Sequence, residues 1–145
     1  MPQFSGITDI AHSIQLAVAP VFLLSAVGAF LTVLTNRLGR IIDRARVLDG
    51  SSPQTHGRDG ALVKAELRYL SARARFVHYA ITLSTSCALI ISLVIVTLFA
   101  GVALERNLAM LIVVLFIAGL SALIAALIFF LLEIQSATSS LRFSA

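Results

Sequence analysis

Three long apolar runs dominate the chain, and the charged residues gather between and beyond them. The first is "SIQLAVAPVFLLSAVGAFLTVLTN", Ser13 to Asn36. The second is "YAITLSTSCALIISLVIVTLFAGVAL", Tyr79 to Leu104, and the third is "LAMLIVVLFIAGLSALIAALIFFLL", Leu108 to Leu132. None contains Asp, Glu, Lys or Arg. About 20 apolar residues, each rising ~1.5 Å, cross a bilayer core of ~30 Å. All three runs meet that length. No alternating pattern suggests a barrel, so helix is the backbone expected in lipid.

The segment between the first two runs has a different rhythm. "SSPQTHGRDG", 51 to 60, carries the Ser, Pro and Gly of a loop. Before it, Leu38, Ile41, Ile42, Ala45 and Leu48 fall on one face of a helix. After it, Val63, Leu67, Leu70, Ala74 and Val77 recur at helical spacing. Lys64, Arg68, Ser71, Arg75 and His78 fall on a different face. The pattern predicts that helices one and two continue beyond the membrane as a basic helical hairpin, about residues 37–78. "ERN", 105–107, is short enough to force runs two and three antiparallel. Asn107 is a candidate N-cap for the third span.

Composition agrees with the pattern. Hydrophobic residues make up 59% of the 145 and charged residues only 12%. Mean hydropathy is +0.98. A soluble domain of this size has nowhere to hide so much apolar surface. The expected class is an all-α integral membrane protein of three transmembrane helices.

The net charge is +4, and nine of the eleven Lys and Arg residues lie from Arg37 to Arg75. Residues 1–12 hold none, "ERN" holds one, and the tail after Leu132 holds only Arg142. Basic residues favour the cytoplasmic side. The expected topology places the N-terminus outside, the 37–78 segment in the cytoplasm and the C-terminus inside, in a bacterial inner membrane. Basic residues flanked by apolar runs suit anionic lipid headgroups. Nucleic acid is not expected, because aromatic stacking residues are sparse there. The first run lacks a basic leader and an A-x-A site, so it reads as an anchor, not a signal peptide. The lone Cys87 reads as a small packing residue.

The densest chemistry is "TNRLGRIIDRARVLD", 35–49. Arg37, Arg40 and Arg44 fall within a sector of about 60° on a helix, and Arg46 points elsewhere. Asp43 stands three residues from both Arg40 and Arg46, within ion-pair reach. Three readings stay open: plain anchoring with snorkelling side chains, specific ion pairs between helices or subunits, or a bound anion or lipid phosphate. Arginine's planar fork suits the last two. If pairing is specific, Arg40 and Asp43 should matter more to assembly than Arg46.

The stretch "PVFLLSAVGAFLTVLTNRLGRIIDRARVLD", Pro20 to Asp49, resembles the signature of a bacterial membrane family called domain of unknown function 2721. The N-R-x-x-R-x-x-D-R-x-R string after a span carries the resemblance. It continues through "LRYLSARARF" and the two later runs. The resemblance implies a small inner-membrane protein with three spans. It implies no catalytic residue, cofactor or substrate.

Other features are weaker. Asp9, His12 and Gln15 drift around one side of the outer entrance to span one, as a polar interface turn or an outer-mouth cluster. Pro20 is expected to kink or weaken its helix. Gly28, Thr32 and Asn36 make a stripe that either packs closely or faces a pore. Ala118, Ala122 and Ala126 suggest a close-packing stripe in span three. The span-two hydroxyls of Thr82, Ser84, Thr85, Ser86, Ser92 and Thr97 have backbone carbonyls one turn back. No metal, cofactor or catalytic constellation is evident. The expected function is a non-enzymatic structural, scaffolding or regulatory membrane component, with homo-oligomerisation expected and its protein partner open. An oligomeric channel lined by span one is the alternative. The absence of a charge inside any span favours the former.

Overall fold

A computed structural model describes the backbone of residues 3–51 and 58–139, and the side chains of 10–50, 60 and 62–135. All regular structure among them is helical: α1 (Gln3–Ser51), α2 (Arg58–Ala103) and α3 (Ala109–Ser139). Each helix is long and apolar enough to cross a membrane. No more than 22% of any of the three most apolar windows is buried. Large apolar side chains such as Phe22, Leu89, Val96, Met110 and Ile117 face outward. That outer surface is suited to lipid, where helices satisfy their backbone groups internally.

The helices are longer than the apolar runs. α1 carries the first run and the 37–48 segment without a break, and it passes unbroken through the buried Pro20. The loop read from composition at 51–60 is narrower, since Ser51 and Arg58–Gly60 are helical. Residues 52–57 lie outside the described residues. α3 runs past Leu132, through Glu133, to Ser139.

Buried positions follow a narrow seam. On α1, Ser13, Ala17, Pro20, Val27, Leu34 and Ile41 are buried, and Leu24, Leu31, Leu38, Ala45 and Leu48 are half-buried. Their steps of three and four average 3.5, the period of helices that keep one edge toward a partner. On α3, Gly119, Ala126 and Glu133 are buried at seven-residue intervals. Of the predicted alanine stripe, Ala122 and Ala126 pack inward, while Ala118 is exposed and Gly119 takes the inward position. On α2, Leu70 and Val77 are buried as the periodicity predicts, and Lys64, Arg68, Ser71, Arg75 and His78 are exposed. Ile42, placed on the apolar face of α1, is 44% exposed instead.

The chain divides into two compact units, and all three helices contribute to each. One comprises Met1–Leu31 with Leu83–Ile124. Its core is Val27, Cys87 and Ile91, with Leu23, Leu31, Phe116 and Leu123 packed around them. The turn from α2 to α3 belongs here. Glu105 adopts a positive φ of 49°. Glu105 N–H bonds Val102 O at 3.2 Å and Arg106 N–H bonds Gly101 O at 3.0 Å. These are the paired bonds of a Schellman cap. Asn107 Oδ1 then accepts from Ala109 N–H at 3.1 Å, capping α3 as its residue type suggests.

The other unit comprises Thr32–Thr82 with Ala125–Ala145. Here Phe129 of α3 lies 6.5 Å from Phe76 and 5.5 Å from Tyr79, measured between ring centroids. Four residues on, Glu133 meets Arg73. α2 and α3 therefore run antiparallel within this unit.

Candidate functional site

The chemistry of the second unit centres on Glu133. Its side chain is 0% exposed. An isolated carboxylate buried in this way would be costly, so its partners decide whether the arrangement is tenable. Arg73 of α2 donates to Oε1 through both Nη2, at 2.5 Å, and Nε, at 3.2 Å. Arg37 of α1 donates through Nη1 to Oε2. One carboxylate thus holds two guanidiniums and ties the three helices of the unit together. Such charge-assisted bonds are among the stronger ones available to side chains.

Aromatic rings steady both arginines. The Arg37 guanidinium carbon lies 5.3 Å from the Phe130 ring centroid, and that of Arg73 lies 5.8 Å from the Tyr69 ring centroid. Both distances fall in the cation–π range. Phe130 sits one turn before Glu133, so α3 supplies Arg37 with both its carboxylate and its ring.

Arg44 pairs with Glu66, its Nη2 and Nε lying 2.9 and 3.2 Å from Oε1. This pair is largely in the open, at 60% and 41% side-chain exposure. Arg40 makes no ion pair among the described residues and is exposed. It nevertheless lines a cavity of about 230 Å³ together with Arg37, Arg44, Arg73 and Glu133, over Ile41 and Leu70.

The sequence-derived candidates separate accordingly. Arg37, Arg40 and Arg44 come together on the cavity, as their shared face suggests. Arg46 does not join them. It approaches Asp43 at 3.9 Å, with both side chains at least 75% exposed, where an ion pair contributes little. Of the candidate ion-pair residues, Arg37 and Arg44 pair across helices and Asp43 meets Arg46, while the part-buried contacts centre on Arg37, Arg73 and Glu133.

Neither Glu133 nor Arg73 was marked out by the sequence. The apolar run ends at Leu132, and reading it as a boundary leaves the next residue outside. Continuing the seven-residue seam from Gly119 and Ala126 would have placed Glu133 inward. Arg73 precedes the buried Val77 by four residues, which puts it on the same side of α2.

The remaining candidates lie elsewhere. His12 is exposed and lines a cavity of about 430 Å³ in the first unit, near Glu105 and Arg106. Gln15 is exposed. The side chain of Asp9 lies outside the described residues. Gly28, Thr32 and Asn36 are all exposed. A Cβ added at Gly28 would meet nothing within 4 Å. The stripe therefore lies on the outer surface of the described residues. Among the span-two hydroxyls, Thr82, Ser92 and Thr97 bond the carbonyl one turn back. Ser84 is fully buried and its Oγ has no hydrogen-bond partner among the described residues.

Together these features define an all-α membrane protein with three candidate spans and an Arg–Glu–Arg cluster built on a buried carboxylate. The chain belongs to the family described as Protein of unknown function (DUF2721), whose model matches residues 17–143. That match includes Arg37, Arg73 and Glu133. No curated protein and no solved structure matches the chain.

Proposed function

We propose that the chain is a non-enzymatic scaffold of the bacterial inner membrane. In this reading its N-terminus is outside, its C-terminus is inside, and the basic 37–78 segment forms a cytoplasmic helical hairpin. One observation carries the reading. Guanidiniums from two helices are fixed in place by a buried carboxylate on the third and by aromatic rings. Such pre-positioning suits recognition of anionic groups, because side chains already held lose little freedom on binding. The nine basic residues in this segment support its cytoplasmic placement.

Labelling of substituted cysteines tests the topology. In a Cys87→Ala background, Asn107→Cys should react with a membrane-impermeant maleimide in intact cells. Leu62→Cys should react only after permeabilisation. The reverse pattern overturns the reading.

A second reading, an oligomeric pore lined by the first span, draws on the outward stripe of Gly28, Thr32 and Asn36. That stripe also suits contact between copies in a homo-oligomer. Native mass spectrometry followed by cryo-electron microscopy separates the possibilities. A closed ring with Thr32 and Asn36 on its axis favours the pore, whereas a monomer or dimer without an axial path excludes it.

A further inference from the structure

We propose that the cavity beside Glu133 is a binding site for a phosphate-class oxyanion, with Arg40 as its open donor. The proposal rests on the reading of this cluster as a pre-positioned, non-catalytic platform, and it gives that platform a ligand chemistry.

The charge balance is the first argument. Four arginines line the cavity, Arg37, Arg40, Arg44 and Arg73, and Glu133 is the only carboxylate among its described lining residues. Adding Glu66, which pairs with Arg44 from outside the lining, still leaves two positive charges in excess. Structural pairing needs no such surplus. A cation-rich hollow of about 230 Å³ is what an anion with several acceptor oxygens would fill.

Geometry is the second argument. Glu133 is fully buried and draws Arg37 and Arg73 to one point. Each guanidinium has five N–H donors, and Glu133 takes one from Arg37 and two from Arg73. The others have no acceptor among the described residues and remain for a ligand. Arg40, one helical turn from both Arg37 and Arg44, has no ion pair among the described residues, which leaves its fork for bidentate contact. The cavity also borders the buried side chains of Ile41 and Leu70. An apolar wall lowers the local dielectric and strengthens the attraction.

A phosphate of this kind could belong to a lipid headgroup or be free in solution. The test separates these sources. The full chain is purified in a neutral detergent, and its thermal midpoint is followed while inorganic phosphate replaces chloride at constant ionic strength. In parallel, the chain is placed in phosphatidylcholine nanodiscs with and without phosphatidylglycerol, and retained lipid is measured by native mass spectrometry. Stabilisation by inorganic phosphate assigns a free anion. Selective retention of phosphatidylglycerol without that stabilisation assigns a headgroup.

Two variants give the site-specific readout. Arg40→Ala should weaken binding roughly tenfold, as expected for loss of a charge-assisted contact. It should leave the midpoint without ligand no lower, since Arg40 holds no ion pair among the described residues. Arg46→Ala, which lies off the cavity, should bind as the parent does. No response in either arm overturns the proposal. So does an equal loss in both variants, which would mark diffuse surface attraction. Neither result bears on the topology, which cysteine labelling tests separately.

Discussion

Arg73 Nη2 stands 2.5 Å from Glu133 Oε1, and the carboxylate it meets is wholly enclosed. This contact joins α2 to α3, and Arg37 completes it from α1 through the other oxygen. The three side chains are therefore interdependent. Each arginine helps to offset the cost of burying the carboxylate, and the carboxylate sets where both guanidiniums lie.

Removing one partner should accordingly cost more than removing all of them. Truncating one member of a buried pair leaves an uncompensated charge and typically costs about 3–5 kcal/mol, whereas replacing an entire buried cluster with apolar groups is often neutral or better. Arg73→Met is expected to lower stability by less than that range, because Arg37 still meets Glu133 and both arginines are part-exposed. Glu133→Met should be similarly damaging, because it leaves two neighbouring guanidiniums facing each other. The triple variant Arg37→Met, Arg73→Met, Glu133→Met should recover much of the loss. Thermal unfolding in a common detergent checks this. Additive losses across the three sites would show that the cluster is not coupled.

The architecture was largely legible in the sequence, while the site was only half legible. Three helices follow from run length and hydropathy, since lipid leaves few backbone alternatives. Leu70, Val77 and Ile41 could be placed inward because the period that marks a helix also marks its face. Arg37, Arg40 and Arg44 were grouped correctly on the same ground. Spacing along one helix says nothing about which residue of another helix answers it. Asp43 was within reach of two arginines, and it meets one of them, Arg46, at 3.9 Å on the outward side of the helix. The true counter-charge stood just beyond an apolar run, where hydropathy stops marking burial but the helix and its seam continue.

Ser84 provides a second test, inside the first unit. Its Oγ is buried without a hydrogen-bond partner among the described residues. Thr97 Oγ1, by contrast, bonds Leu93 O at 2.8 Å. A buried hydroxyl left unpaired is destabilising relative to an apolar group of similar shape. Ser84→Ala should therefore be neutral or stabilising by up to about 1 kcal/mol. Thr97→Ala should be destabilising, since it removes a made bond and a methyl group. Midpoints that fall equally in both variants would count against the orphaned state of Ser84.

At the α2–α3 turn, Glu105 occupies the left-handed position that glycine ordinarily fills in this cap. A residue with a Cβ carries a penalty of roughly 1–2 kcal/mol there. Glu105→Gly removes it, offset in part by glycine's greater freedom in the unfolded chain. The expected net gain is up to about 1 kcal/mol, read as a higher thermal midpoint. Glu105→Val should move the midpoint the other way, because β-branching makes the same backbone conformation harder to hold. A glycine variant less stable than the parent would mean that the glutamate side chain contributes more than its backbone costs.

Two glycines differ in what surrounds them within the chain. At Gly119 an added Cβ would lie 3.0 Å from Ile91 Cδ1, so α3 meets α2 closely there. At Gly28 it would meet nothing within 4 Å. Gly119→Leu should therefore destabilise the isolated chain by overpacking, at a cost of about 1–3 kcal/mol. Gly28→Ala should leave it unharmed, or stabilise it by up to about 1 kcal/mol through helix propensity. Gly28→Leu adds a larger group to the same open face. If copies of the chain meet along Gly28, Thr32 and Asn36, that bulk should reduce the oligomer in native mass spectrometry without lowering the monomer's thermal midpoint. Oligomer populations identical to the parent's would place any self-contact on another face.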